Sequence, residues 1–319
     1  MITSSAPGKL FLFGEYAVLE GHLALIAAVD RRVTVRFTAD ASDVLSVSGS
    51  FFKTPVELPL ASLEASGAAS RVVAGVLAAK ELGAKISGGT LAIDSAPLFD
   101  GDRKLGFGSS AAVTVATYGV FHSGDPAKAF SACRAWHNRA QGTAGSGGDI
   151  AASLMGGLAC LRGDVVSRVD WVPPTAVLFH PESASTPAFI SNVKKLKIST
   201  PPLYHAHMSA LGKLAERARK AAETRDADAW VSLVREATDA LDDLGGASNT
   251  EIVTPYQREV SALCDSLGAA SKPAGAGGGD VSVIAAADEA TLTRTMNAIS
   301  AMGGRCERLT IATRGLQNS

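Results

Sequence analysis

Residues 104–121 read Lys104-Leu105-Gly106-Phe107-Gly108-Ser109-Ser110-Ala111-Ala112-Val113-Thr114-Val115-Ala116-Thr117-Tyr118-Gly119-Val120-Phe121. Glycines and serines run straight into small residues of helical character. Such a junction leaves backbone N–H groups pointing outward at a helix start, where the macrodipole adds roughly half a positive charge, so a phosphate is readily accommodated. Gly106 and Gly108 remove side chains that would block the approach, and a serine hydroxyl can donate a hydrogen bond or ligate Mg2+. The loop is neither GxxxxGK[ST] nor GxGxxG: Lys104 precedes it, and position 111 is alanine. Taken alone, it also reads as a tight strand–helix turn.

Two further glycine loops stand elsewhere. Gly142-Thr143-Ala144-Gly145-Ser146-Gly147-Gly148-Asp149 presents an acid that helix-end donors would keep ionised, although an ordinary helix N-cap reads the same way. Lys272-Pro273-Ala274-Gly275-Ala276-Gly277-Gly278-Gly279-Asp280 precedes an apolar strand, and so many glycines are costly in chain entropy for a plain turn. Glycine makes up 32 of 319 residues, about 10% against a usual ~7%. Twelve lie between Gly101 and Gly163 and four more between Gly275 and Gly279, a concentration that places backbone close to a ligand. Lys9, at the head of the apolar run Lys9–Phe13, would need an anionic partner if its head group were buried. A Lys9–Asp149 pair beside a phosphate site suits phosphoryl transfer, which asks mainly for positioning and charge neutralisation.

The length favours two domains, with a boundary near Pro173 (residues 1–172 and 173–319). Strands are expected at Lys9–Phe13, Arg32–Phe37, Val44–Ser48, Thr90–Asp94, Thr175–His180, Val281–Ala286 and Arg308–Thr313. Helices are expected over Ser70–Leu82, from Asp125-Pro126 to about Ala140, over Pro201–Leu244 with a break near Arg225–Ala227, from the Thr254 capping box to Gly268, and from Asp288 to about Met302. The class is α+β. Thirty basic against 31 acidic residues give a net charge of −1, so no bulk field draws nucleic acid or an acidic membrane. No apolar run approaches a membrane span, and the first residues show no basic region ahead of an apolar one, so neither membrane anchor nor signal peptide is expected. Cys133, Cys160, Cys264 and Cys306 have no framework spacing and read as buried, reduced thiols of a cytoplasmic protein. His205 and His207 do not share a helix face, so metal binding there is not expected. The oligomeric state is open.

Ala6-Pro7-Gly8-Lys9-Leu10 with Gly14-Glu15-Tyr16-Ala17-Val18-Leu19, then Gly106–Ala112, then Gly275–Asp280 resemble the three motifs of the GHMP small-molecule kinases, in order and spacing over nearly the whole chain. Mevalonate kinases of that family typically read GEH and PSGVD where this chain has Gly14-Glu15-Tyr16 and Gly145–Asp149. The stretch His137…Ala140-Gln141-Gly142…Gly145-Ser146 and the segment Ala184-Ser185-Thr186…Phe189-Ile190 are similar to the phosphomevalonate kinase branch. The resemblance implies an N-terminal domain of ribosomal-protein-type βαβ architecture, a C-terminal ferredoxin-like domain and an active site between them. It implies ATP on Gly106, Phe107, Gly108, Ser109, Ser110 and Ala111, Mg2+ near Ser110, and Lys9 and Asp149 as the catalytic pair beside the acceptor. Substrate contacts are expected at Lys9, Glu15, Tyr16, Ser146, Ser185, Gly275, Ala276 and Gly277. Where mevalonate kinases carry a Mg2+-binding glutamate this chain has Asn138. An acceptor already bearing a phosphate needs cations: Lys104 is favoured, with Arg103, Lys194, Lys195 and Lys197 as further candidates, each of which also reads as a solvated surface charge. The implied reaction is ATP-dependent phosphorylation of phosphomevalonate. Mevalonate phosphorylation and a non-catalytic nucleotide-binding relative are the alternatives.

Overall fold

Two β-sheets divide the chain, and each gathers its own helices. The computed structural model describes residues 1–180 and 186–319. In the first sheet β1 (Ile2–Phe13) and β2 (Ala24–Ala39) form a long antiparallel hairpin. Strands β3 (Val44–Gly49) and β4 (Val56–Pro59) form a second hairpin, and β5 (Gly89–Asp94) lies between β2 and β3, parallel to β3. A small hairpin, β6 (Phe99–Asp100) and β7 (Arg103–Lys104), leads into the first glycine loop. Strand β8 (Leu158–Arg162) pairs with the first residues of β2 and with β9 (Val165–Val169).

Four helices belong to this half: α1 (Ser70–Glu81), α2 (Ser109–Phe121), α3 (Pro126–Gln141) and α4 (Gly148–Met155). Helix α2 is buried on nearly every side, which explains why its sequence is apolar or small all round rather than striped. Asp125 caps α3 by accepting from the Ala127 N–H at 2.9 Å, with Pro126 in the first turn.

The second sheet runs β11 (Ala270–Pro273), β12 (Val281–Ala285), β10 (Thr175–Phe179), β13 (Arg305–Arg308), all antiparallel. Helices α5 (Thr186–Ser199), α6 (Pro201–Thr224), α7 (Ala227–Ser248) and α8 (Pro255–Ser266) fill the crossover from β10 to β11, and α9 (Glu289–Ala301) joins β12 to β13. That strand order with those crossovers is the ferredoxin-like βαββαβ arrangement. The α6–α7 break falls where the sequence put it: Arg225 takes a left-handed φ of +56°, and the Asp226 side chain accepts from the Ala229 N–H. Thr254 and Gln257 form the reciprocal capping box.

One strand differs from expectation. Residues 308–313 do not form one strand; β13 stops at Arg308, and the chain then crosses to the first sheet. Asp30 donates to the Thr310 carbonyl, Val29 bridges Ile311, and Ala312 donates to the Ala28 carbonyl. The alternating apolar residues are there, but their pairing is shared between two sheets. Strand β14 (Gln317–Asn318) then adds to the edge of β1. Helix α5 and the β8–β9 hairpin had no distinct sequence signal. The two halves share a core: the Trp230 ring of α7 packs edge-on to Phe13 of β1 (5.0 Å) and to Trp171 (6.1 Å).

Candidate active site

Strand β1 brings Lys9 under the first glycine loop. Its N–H donates to the Phe107 carbonyl at 2.8 Å, so strand and loop are tied at the backbone. Gly108 is the N-cap of α2 with φ +69°, and a Cβ there would sit 2.8 Å from both Cγ and Cε of Lys9. Glycine is therefore required both for the backbone angle and for the passage of the lysine stem. The ammonium group feels the charges of three carboxylates, Asp149, Asp280 and Glu15. Burial pulls its pKa below the ordinary lysine value, and the three acids oppose that shift.

Asp149 is not an N-cap. Gly147 caps α4, and Asp149 lies in the first turn, with Oδ1 accepting from the Ile150 N–H at 2.9 Å. Its Oδ2 faces Nδ1 of buried His137 at 4.0 Å. On the other edge of that imidazole, Nε2 lies 3.0 Å from Ser110 Oγ and 3.2 Å from the Gln141 amide nitrogen. With two donors in reach, Nε2 is assigned the lone pair and Nδ1 the proton, which points toward Asp149. Burial, more than any neighbouring charge, lowers the His137 pKa and favours this neutral form. Ser110 Oγ also accepts from Arg71 Nε at 2.6 Å. A continuous line of side chains thus runs Arg71, Ser110, His137, Asp149.

The remaining expected site residues fall into three groups. Around the first loop, the Phe107 ring turns into the core, 5.9 Å from Phe179, so only its backbone faces the loop. Ser109 and Ser110 form the first turn of α2, and the Ala111 N–H donates to the Gly108 carbonyl. In the second loop, Ser146 Oγ accepts from the Gly148 N–H, and the Asn138 side chain pairs with both the N–H and the carbonyl of Gly145. Asn138 is thus a loop clamp.

The third group joins the two halves. Glu15 forms a fully buried ion pair with Lys272, whose ammonium also donates to the Pro273 carbonyl at 2.7 Å. Tyr16, at φ +61°, donates its hydroxyl to the Ala276 carbonyl at 2.5 Å, and burial followed by the Glu15 charge raises its pKa. Gly277, at φ +81°, would place a Cβ 2.4 Å from the Ile252 carbonyl oxygen, and the neighbouring Gly278 N–H donates to that same carbonyl.

Lys104 is exposed on β7, at the entrance to the first loop. Arg103 donates to the His180 carbonyl, Lys195 to Asn192, and Lys197 pairs with Glu20 at 2.8 Å, so these three have protein partners. Ser185 lies outside the described residues. His205 packs against Tyr204, and no group of three or more His, Cys, Asp or Glu side chains could hold a metal among the described residues. The cysteines are free thiols, three buried and Cys306 half-buried. Sequence reasoning missed Arg71, Lys272 and Asp280 as site groups; the last two lie inside the quoted third loop, but nothing local marks their partners.

No family model matches the chain. Among curated proteins it is 30% identical to the phosphomevalonate kinase of Streptomyces sp. strain CL190, over 88% of this chain and 89% of that one. It is 28% identical to the mevalonate kinase of Pyrococcus horikoshii, over 69% of each. Its fold superimposes with a TM-score of 0.80, at 21% identity, on the Streptococcus pneumoniae phosphomevalonate kinase solved with phosphomevalonate and AMPPNP, covering 97% of this chain and 100% of that one.

Proposed function

The chain belongs to the GHMP kinase family, and from that premise we propose that it transfers the γ-phosphoryl group of ATP to the phosphate of phosphomevalonate. The observation that carries this reading is the placement of Lys9 beneath Gly108, with the Asp149 carboxylate among its charged neighbours. The 30% identity to a phosphomevalonate kinase over 88% of the chain supports the substrate.

In this account an oxygen of the acceptor phosphate attacks the γ-phosphorus, and the bond to the ADP oxygen breaks. A phosphomonoester has a second pKa of about 6, so its oxygen is largely anionic at neutral pH and needs little help from a base. The difficulty is bringing two anions together. Lys9 places a cation between them, the N–H groups opening α2 receive phosphate oxygens, and Asp149 orients the acceptor while its charge favours the protonated Lys9. Exposed Lys104 meets the acceptor's own phosphate. Glu15 and Tyr16 act by fixing the third loop, with Gly275, Ala276 and Gly277, against the substrate side of the cleft, and Ser146 shapes the loop that presents Asp149.

Mg2+ fits as a partner of the nucleotide more than of the protein. Ser110 Oγ keeps one lone pair after accepting from Arg71, and the nearest acid along the line of contacts is Asp149. Ser110 Oγ would hold it together with phosphate oxygens and water, with Asp149 beyond the His137 ring, and it would supply further neutralisation of the transferring group. The proposed domains are residues 1–172 and 173–319, with the last residues returning to the first sheet. No helix among the described residues is long and apolar enough to cross a membrane, and a cytoplasmic setting is proposed from the free thiols.

Kinetics of Asp149→Asn test the assignment. Turnover should fall about 100-fold or more while AMPPNP still binds, a loss in the range of a positioned acid–base or orienting group. Unchanged turnover would remove Asp149 from the site. Lys104→Ala should raise the KM for the phosphorylated acceptor with little change in that for ATP, and an unchanged acceptor KM would count against its role.

A further inference from the structure

We propose that Arg71 is a ligand of the nucleotide phosphates, donating through its Nη2 amino group beside the first turn of α2. The inference rests on the kinase reading above.

Arg71 occupies the first turn of α1, where the helix macrodipole disfavours a cation. Its Nε reaches Ser110 in the first turn of α2, so a second positive helix end adjoins the same guanidinium. A cation at the meeting of two helix N-termini is repelled by both unless an anion joins it. No carboxylate supplies that charge: burial alone depresses the Arg71 pKa, and the nearest acid along the contact line, Asp149, stands behind neutral His137.

The guanidinium is held at three points. Nε donates to Ser110 Oγ at 2.6 Å, and Nη1 donates to Ser70 Oγ at 2.9 Å and to the Ala140 carbonyl. These contacts use the Nε proton and both Nη1 protons. The two Nη2 protons have no protein acceptor among the described residues. With Nε and Nη1 both anchored, the guanidinium plane is fixed and Nη2 keeps two protons to donate to phosphate oxygens, so little rotamer entropy is lost when they arrive. The side chain therefore extends the phosphate cradle of the glycine loop from outside that loop.

The test is calorimetric titration of the full-length protein with AMPPNP and Mg2+, without acceptor, for wild type, Arg71→Ala and Arg71→Lys. Arg71→Ala should bind AMPPNP about tenfold more weakly or worse, the size of a lost charge-assisted hydrogen bond. Millimolar guanidinium chloride should restore part of that affinity. In turnover the KM for ATP should rise while that for the acceptor holds. Arg71→Lys keeps the charge but cannot make the three-point anchor, and should bind measurably more weakly than wild type; it carries the test by itself if Arg71→Ala does not fold. AMPPNP affinity at the wild-type level in either folded variant would overturn the proposal. So would a loss in Arg71→Ala that guanidinium leaves untouched, since a purely structural tie between α1 and α2 behaves that way. With no acceptor present, failure to phosphorylate phosphomevalonate leaves this result readable, whereas a wild-type protein that does not bind AMPPNP would overturn both readings.

Discussion

Cutting the Glu15–Lys272 pair should cost the protein a large share of its stability. The two side chains are 3% and 0% exposed and come from residues 257 apart, one following β1 and the other on β11. Glu15→Gln leaves the Lys272 ammonium with the Pro273 carbonyl but without its counter-charge; Lys272→Met leaves a buried carboxylate without its hydrogen-bonded cation, with the Lys9 charge shared among three acids. Removing one partner of a buried pair typically costs about 3–5 kcal/mol, against a total stability of about 5–15 kcal/mol for a native protein. Lys272→Met should sit at the upper end, because the Pro273 carbonyl also loses a donor worth about 1 kcal/mol. The double variant removes both charges and so avoids the unpaired one. Its loss should fall well short of the sum of the two single losses, by about 2 kcal/mol or more, within the range of coupling for residues in contact. Urea unfolding followed by tryptophan fluorescence measures all four proteins, since Trp230 and Trp171 pack edge-to-face across the junction between the halves. Single losses below about 1 kcal/mol that add in the double variant would refute the reasoning, because exposed, solvent-screened pairs behave that way.

Other expectations follow from the same geometry. His180 is buried against Ser282 at 2.8 Å, and burial followed by the Arg103 charge pushes its pKa down to about 4. The folded state therefore holds His180 neutral while the unfolded chain protonates near pH 6.5, so its contribution is complete above pH 6.5 and lost as pH falls toward about 4. His180→Gln should flatten the decline of urea stability over that window, by about one proton's worth of slope; a slope equal to wild type would contradict it. Lys9 has its pKa lowered chiefly by burial, so the protonated form costs stability at neutral pH and that cost fades as pH rises toward 10.5. Lys9→Met should abolish turnover while holding or raising the urea midpoint at pH 7, and a clear fall in that midpoint would show the three acids outweighing burial. Gly108→Ala combines a left-handed φ with a clash against the Lys9 stem, and AMPPNP affinity should drop with turnover; near-normal kinetics would mean that the loop has room the structure does not give it.

Much of the fold was legible because its signals are local. The Asp125 cap, the Arg225 break and the Thr254–Gln257 box depend on residues within a turn of each other, and each is where the sequence placed it. The last strand differs from its sequence pattern because Leu309 and Ile311 alternate as a strand should, yet the pairing changes sheets after Arg308. In the site, the loops announced themselves through glycine, whose reason is visible in one residue: Gly108 must turn left-handed above a lysine. The contacts that complete the site join residues far apart in sequence. Nothing local marks the partners of Arg71 or Lys272, which appear only once α1 lies against α2 and β11 meets the turn after β1. Periodicity carries no information about which edges meet.

The most direct test of the central claim is the turnover of purified wild-type protein with ATP and, separately, phosphomevalonate, mevalonate, homoserine and galactose, with products followed by phosphorus NMR. Phosphomevalonate should give a diphosphate product, with a kcat/KM exceeding that of the others by orders of magnitude. Turnover of mevalonate with none of phosphomevalonate would contradict that claim.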